Sequence, residues 1–209
     1  MLIPASLPTF SMDADKLQER INWLFENIQP YLKGRNLQLN SGSEFMTSLL
    51  VGKNIPIHLN ECDKSKRNTL IHKYRASEIV RSVHNIDISN PDFRHAYFDS
   101  IGKFNTILAL DFLQPYWLDK ILLGNVTTLL KPRGRLIIIL PSFIHIYEDL
   151  NITLTEWKYY NRKSLHQSFS DFEILKTIPF RVEGTIAANY LTQFGIHIIA
   201  ILKKVDATF

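Results

Sequence analysis

A chain of 209 residues with 45% apolar and 21% charged residues has the make-up of an ordinary globular domain, long enough to bury a core without disulfide or metal support. Its single cysteine, Cys62, excludes an internal disulfide framework and points to a reducing compartment, the cytoplasm. The net charge of +4 is mild, the N-terminal MLIPASLPTFSMDADK lacks the basic start of a signal peptide, and apolar runs such as LIIIL at 136–140 are far too short to span a bilayer.

Residues 1–12 read as an irregular arm, and 13–209 as a single domain. A helix begins at Asp13 or Asp15, either of which can cap it. It places Leu17, Ile21, Leu24, Phe25 and Ile28 on one face and ends at Pro30. NLQLN (36–40) predicts a short strand with Leu37 and Leu39 on one side, and NSGSE (40–44) a turn. FMTSLLV (45–51) predicts a short helix, and IPIHLNE (55–61) a second strand. A basic helix is expected over 64–74, a strand over RSVHNIDI (81–88) and a loop at SNPDF (89–93). The sparse aromatic residues among Lys64, Lys66, Arg67, Lys73, Arg75 and Arg81 favour a solvated helix face over a nucleic-acid surface.

KFNTILALD (103–111) predicts a buried strand. YWLDKILLGNVTTLL (116–130) predicts a helix with Trp117, Ile121, Leu122, Val126 and Leu129 on its apolar side, and KPRG (131–134) a turn after it. RLIIILP (135–141) is continuously apolar, as a strand covered on both faces must be. A helix over 155–169 and two strands, FEILKTIPF (172–180) and GIHIIAILKK (195–204), complete the chain. Strands alternating with helices imply an α/β fold whose mostly parallel sheet has right-handed crossovers. Ligands of such sheets sit beyond the carboxyl ends of the strands, here residues 40–44, 61–63, 87–88, 111–116 and 141–145.

The segment 103–141, KFNTILALDFLQPYWLDKILLGNVTTLLKPRGRLIIILP, resembles the fourth strand, following helix and fifth strand of class I S-adenosylmethionine-dependent methyltransferases. Lys131, Pro132 and Gly134 keep most of the family's turn, and Arg135 replaces its second glycine. EWKYYNRKSLHQSFSDFEILKTIPF (156–180), followed by the closing strand 195–204, is similar to the family's tail. The resemblance covers residues 15–204. It implies a Rossmann-like methyltransferase fold: a seven-stranded, mostly parallel sheet of order 3-2-1-4-5-7-6, its seventh strand antiparallel, with helices on both faces.

The resemblance also implies a site for S-adenosylmethionine. In the family's glycine-rich loop, Gln38 stands where an acid is usual. Asn40 and Glu44 replace the first and third glycines, and Gly42 survives. Asparagine accepts left-handed backbone well, whereas Glu44 adds bulk and charge near the expected methionine carboxylate. Glu61 is the expected acceptor for the ribose hydroxyls, with Asp63 as the alternative or as the cap of the next helix. Asp87 and Ile88 would lie against adenine, although Asp87 also suits a turn before SNP. Asp111 would face the cleft.

No catalytic base is assigned, and no metal site: the seven histidines show no ligand spacing. His145, Tyr147, Trp157, Tyr159 and Tyr160 fall near the expected acceptor mouth. Methyl transfer from a sulfonium relies on alignment and water exclusion, so the acceptor is not encoded in one motif. A small-molecule acceptor is favoured over nucleic acid. The competing expectation is a methyltransferase-fold protein that has lost catalysis and serves as a binding or scaffold subunit.

Overall fold

Amphipathic periodicity decides the first helix. In the computed structural model, which describes residues 9–11, 17–41, 45–110, 120–143, 162–183 and 195–206, α1 spans Leu17–Ile28. It buries Ile21, Leu24, Phe25 and Ile28, and a short 3₁₀ turn containing Pro30 follows it. The other helices are α2 (Phe45–Gly52), α3 (Lys64–Tyr74), α4 (Phe93–Ala96), α5 (Lys120–Leu129) and α6 (Arg162–Ser168). The strands are β1 (Thr9–Ser11), β2 (Asn36–Gln38), β3 (Ile57–Asn60), β4 (Val80–His84), β5 (Phe104–Ala109), β6 (Leu130–Phe143), β7 (Phe172–Glu183) and β8 (Gly195–Lys204).

These strands form one sheet in the order β1-β7-β8-β6-β5-β2-β3-β4. Numbered from β2, the seven strands β2–β8 take the expected order 3-2-1-4-5-7-6. β8 runs antiparallel to both β6 and β7, while β2 to β6 pair in parallel. The LIIIL run lies inside β6, flanked by β5 and β8, and its residues are buried on alternate faces.

Two cores sandwich the sheet. On one face Leu37, Ile107, Leu136, Ile138 and Ala200 pack with Phe93, Val126, Leu129, Leu165 and Phe169 from the region of α4, α5 and α6. On the other, Leu59, Leu108, Ile137, Ile139 and Ile199 pack with α1, with Met46 and Leu50 of α2 and with Leu70 of α3. Side chains alternate across a strand, so adjacent residues of β5 and β6 serve opposite cores.

The structure departs from the sequence expectations in four places. Thr9–Ser11, inside the expected irregular arm, pairs in parallel with Arg181–Glu183 and adds an eighth strand at an edge that would otherwise be open. β4 stops at His84 instead of 88, because a side chain, not a neighbouring strand, holds the backbone of Ile86. The turn at 131–134 is drawn into the start of β6, with a register shift against β5 and Arg133 at φ 58°. Ile121, expected on the apolar side of its helix, is half exposed. Residues 116–119 and 155–161 of the two expected longer helices lie outside the described residues.

Candidate functional site

The chain runs outward from β2 through β3 to β4, then returns to the far side of β2 to form β5. The order reverses between β2 and β5, and ligands of open α/β sheets bind at such a switch point, in the crevice beyond the carboxyl ends of the strands. Of the residues expected there, Gly42, Glu44 and Asp111 lie outside the described residues, as do His145, Tyr147, Trp157, Tyr159 and Tyr160.

After β2 the chain turns sharply. Asn40 takes φ 51°, the left-handed geometry expected of a residue standing where a glycine is usual. Ser41 is fully buried. Its hydroxyl donates to the Gln38 carbonyl at 2.9 Å and accepts from the Asn60 amide at 3.2 Å. Gln38 is buried as well, and its Oε1 accepts from Thr47 Oγ1 of α2 at 3.0 Å. Where a carboxylate is usual, this chain therefore has a neutral amide engaged with the neighbouring helix.

After β3, Glu61 is buried at the strand tip, and its Oε1 accepts from the Asp63 amide at 2.9 Å. Asp63 turns the other way. Its Oδ1 accepts from the Lys66 amide at 2.8 Å and caps α3. Asp63, the alternative acid, thus serves as the cap of α3, while Glu61, the expected one, stays at the end of β3. Arg67 Nη1 donates to the carbonyls of Glu61 and Cys62 and to Asn85 Oδ1, fastening this loop from below. Cys62 Sγ lies 3.3 Å from the Ile86 carbonyl. Although Cys62 is exposed, partial desolvation of its thiol, aided by Asp87 and Glu61, raises its pKa above the ordinary value and disfavours the thiolate.

After β4, Asp87 is exposed. Its Oδ1 accepts from both the amide and the hydroxyl of Ser89, at 2.9 and 2.6 Å, so it does form the turn before SNP. Its own amide donates to the Tyr97 hydroxyl at 3.0 Å. Ile88 packs against the first core, and Asn125 Nδ2 donates to its carbonyl at 2.8 Å. Glu61, Asp87 and Ile88 thus stand at the tips of adjacent strands.

A second polar group lies on the sheet face. Arg35 Nε donates to His58 Nε2 at 3.0 Å, His58 Nδ1 meets Ser82 Oγ at 2.7 Å, and Ser82 Oγ meets His84 Nε2 at 2.6 Å. Burial, reinforced by Arg35, His84 and Arg81, lowers the His58 pKa to about 4; burial and Arg35 also lower that of His84. Among the described residues no three His, Cys, Asp or Glu side chains are grouped as metal ligands.

A methyltransferase of Methanosarcina mazei aligns over 86% of this chain and 97% of its own, with a TM-score of 0.61 at 14% identity. The chain has the fold of S-adenosylmethionine-dependent methyltransferases. The N-methyltransferase NodS of Bradyrhizobium japonicum aligns over 93% of this chain and 99% of its own, with a TM-score of 0.61 at 13% identity. The [4+2]-cyclase SpnF aligns over 96% and 87%, with a TM-score of 0.63 at 12% identity, so this fold also carries other chemistry. No protein-family model matches the chain, and no curated protein matches it by sequence.

Of the expected ribose and adenine contacts, Glu61 lies just beyond the end of β3, and Asp87 and Ile88 lie beyond the end of the neighbouring β4. The fastening residues Ser41, Asn60, Arg67 and Tyr97 carried no signal. Each is a common polar residue, and only its burial or its partner distinguishes it.

Proposed function

We propose that the protein binds S-adenosylmethionine in this crevice and transfers its methyl group to a small-molecule acceptor, in the cytoplasm. The observation that carries the reading is Glu61, buried at the tip of β3 beside the switch point of the sheet. A carboxylate has about four lone-pair sites. The bond from the Asp63 amide orients the group at the strand tip, from which it would accept from the ribose hydroxyls. Asp87 would accept from the adenine amino group, and Ile88 would offer its apolar surface to the ring. Asn40 and Gly42 would carry the backbone past the methionine portion, with Gln38 and Asp111 flanking it. When bound, the cofactor supplies an electrophilic methyl group; the chain's part is to align it and to keep water out.

Arg67 supports a small acceptor over nucleic acid, since the central cation of the basic stretch is turned into the Glu61 loop. Among the described residues no helix is long and apolar enough to cross a membrane.

Calorimetric titration with S-adenosylhomocysteine tests the reading. Hydrogen bonds to a charged acceptor contribute about 1.5–3 kcal/mol each. Glu61→Ala should therefore weaken binding by roughly one to two powers of ten after solvent compensation. Glu44→Gly should strengthen it by removing charge and bulk near the expected methionine carboxylate. Unchanged affinity in Glu61→Ala would remove the ribose from this strand tip.

The second reading is a subunit that keeps the fold without catalysis. It is favoured by Gln38, whose amide is engaged with Thr47 where the family has an acid, and by Asn40 and Glu44 in place of glycines. Absence of binding in wild type and in Glu44→Gly alike would select it.

A further inference from the structure

Resting on the cofactor reading above, we propose that Asn60 is the positioning residue that sets the distance between the ribose and adenine contacts. It is the last residue of β3 and is almost wholly buried. Its Oδ1 accepts from the Ile86 amide at 2.7 Å, and its Nδ2 donates to the Ile86 carbonyl at 3.0 Å. One amide side chain thus replaces both ladder bonds that Ile86 lacks beyond the end of β4. Its backbone amide reaches across in the other direction to Ser41 Oγ, which is itself tied to the Gln38 carbonyl. Three loop roots meet at this residue: the turn at Asn40, the Glu61 tip and the segment leading into Asp87.

The chemistry requires an amide. A carboxylate would accept from the Ile86 amide but would set an unpartnered oxygen against the Ile86 carbonyl. An aliphatic side chain would leave the buried Ile86 amide without its partner and the Ile86 carbonyl with only the weak thiol donor of Cys62, which costs more than the bonds themselves contribute. Asn60 touches no ligand atom in this scheme. It acts by holding Asp87 one residue from a fixed Ile86, while Glu61 follows it directly in the chain. Adenosine binding needs both carboxylates at a fixed separation, and side-chain contacts are sensitive to displacements on the order of 1 Å.

Asn60→Asp and Asn60→Ala test this, with Ser82→Ala as the control. The control removes a hydrogen-bonded group between the same two strands while leaving the Asn60–Ile86 pair intact. Titrations with S-adenosylhomocysteine and with methylthioadenosine, the adenosine half alone, are run on folded protein. Both Asn60 variants should lose about tenfold or more for both ligands, and Ser82→Ala, at a similar loss of thermal stability, less than threefold.

The Ile86 amide of the unsubstituted protein should exchange slowly with deuterium, a readout that needs no variant to fold. Equal losses in Ser82→Ala, wild-type affinity in Asn60→Asp, or fast exchange at Ile86 would each overturn the proposal while leaving the cofactor reading standing. A wild-type protein that binds neither ligand would overturn both.

Discussion

Protons in the Arg35–His58–Ser82–His84 chain run one way. Arginine can only donate, so His58 Nε2 must accept and Nδ1 carries the proton toward Ser82 Oγ. The serine hydroxyl then donates to His84 Nε2. Both imidazoles are therefore held neutral, which agrees with the lowered pKa of each. The folded His58 pKa of about 4 lies below the unfolded value of 6.5, so between the two the unfolded chain binds more protons. The stabilisation is complete above about pH 6.5 and is lost as pH falls toward 4, and His84 acts in the same direction. The melting temperature should fall between pH 7 and pH 5, and fall less steeply in His58→Gln. Equal slopes in the two proteins would show that His58 does not titrate on unfolding.

The start of β6 separates two uses of glycine that sequence alone merges. Arg133, not Gly134, takes the left-handed φ of 58°. Gly134 is needed for room, since a Cβ there would lie 2.8 Å from the Lys131 carbonyl oxygen and about as close to Leu130. Arg133→Gly should therefore stabilise by less than about 1 kcal/mol, relief of the left-handed strain being partly offset by backbone entropy. Gly134→Ala should destabilise by about 1–3 kcal/mol. Urea unfolding measures both, and a stabilised Gly134→Ala would contradict the close approach. Arg135, which stands where the resemblance expected a second glycine, donates to the Tyr31 carbonyl at 3.1 Å and ties the end of α1 to the sheet. Helices and strands with strong apolar periodicity, such as α1, β6 and β8, were legible because burial dictates their pattern. The early end of β4 was not legible, because His84 and Ile86 differ only in whether a strand or the Asn60 side chain partners them. In the same way the sequence favoured Glu61 but left Asp63 as an alternative at the tip of β3, and it is the cap on α3 that occupies Asp63.

Across the whole molecule, the two cores share one sheet, so neither can melt without exposing the other's strands. Ile107 and Leu108 are adjacent on β5, fully buried, and belong to opposite cores. Ile107→Ala and Leu108→Ala should each cost about 2–5 kcal/mol. Both should preserve a single transition seen alike by circular dichroism and by tryptophan fluorescence. Separate transitions in either variant would mean that the faces unfold independently. The place of β8 between β6 and β7 has a further consequence, for synthesis. Everything through β7 can leave the ribosome while β6 still presents the bare edge of Ile137–Leu140, because its partner, Ile198–Ile201, is made after β7. β7 meets the rest of the sheet only through β8, so it too must wait. The nascent chain therefore carries a long apolar strand edge open to pairing with other chains until residue 204 is free. A ribosome stalled shortly before that point should display the most aggregation-prone form of this protein.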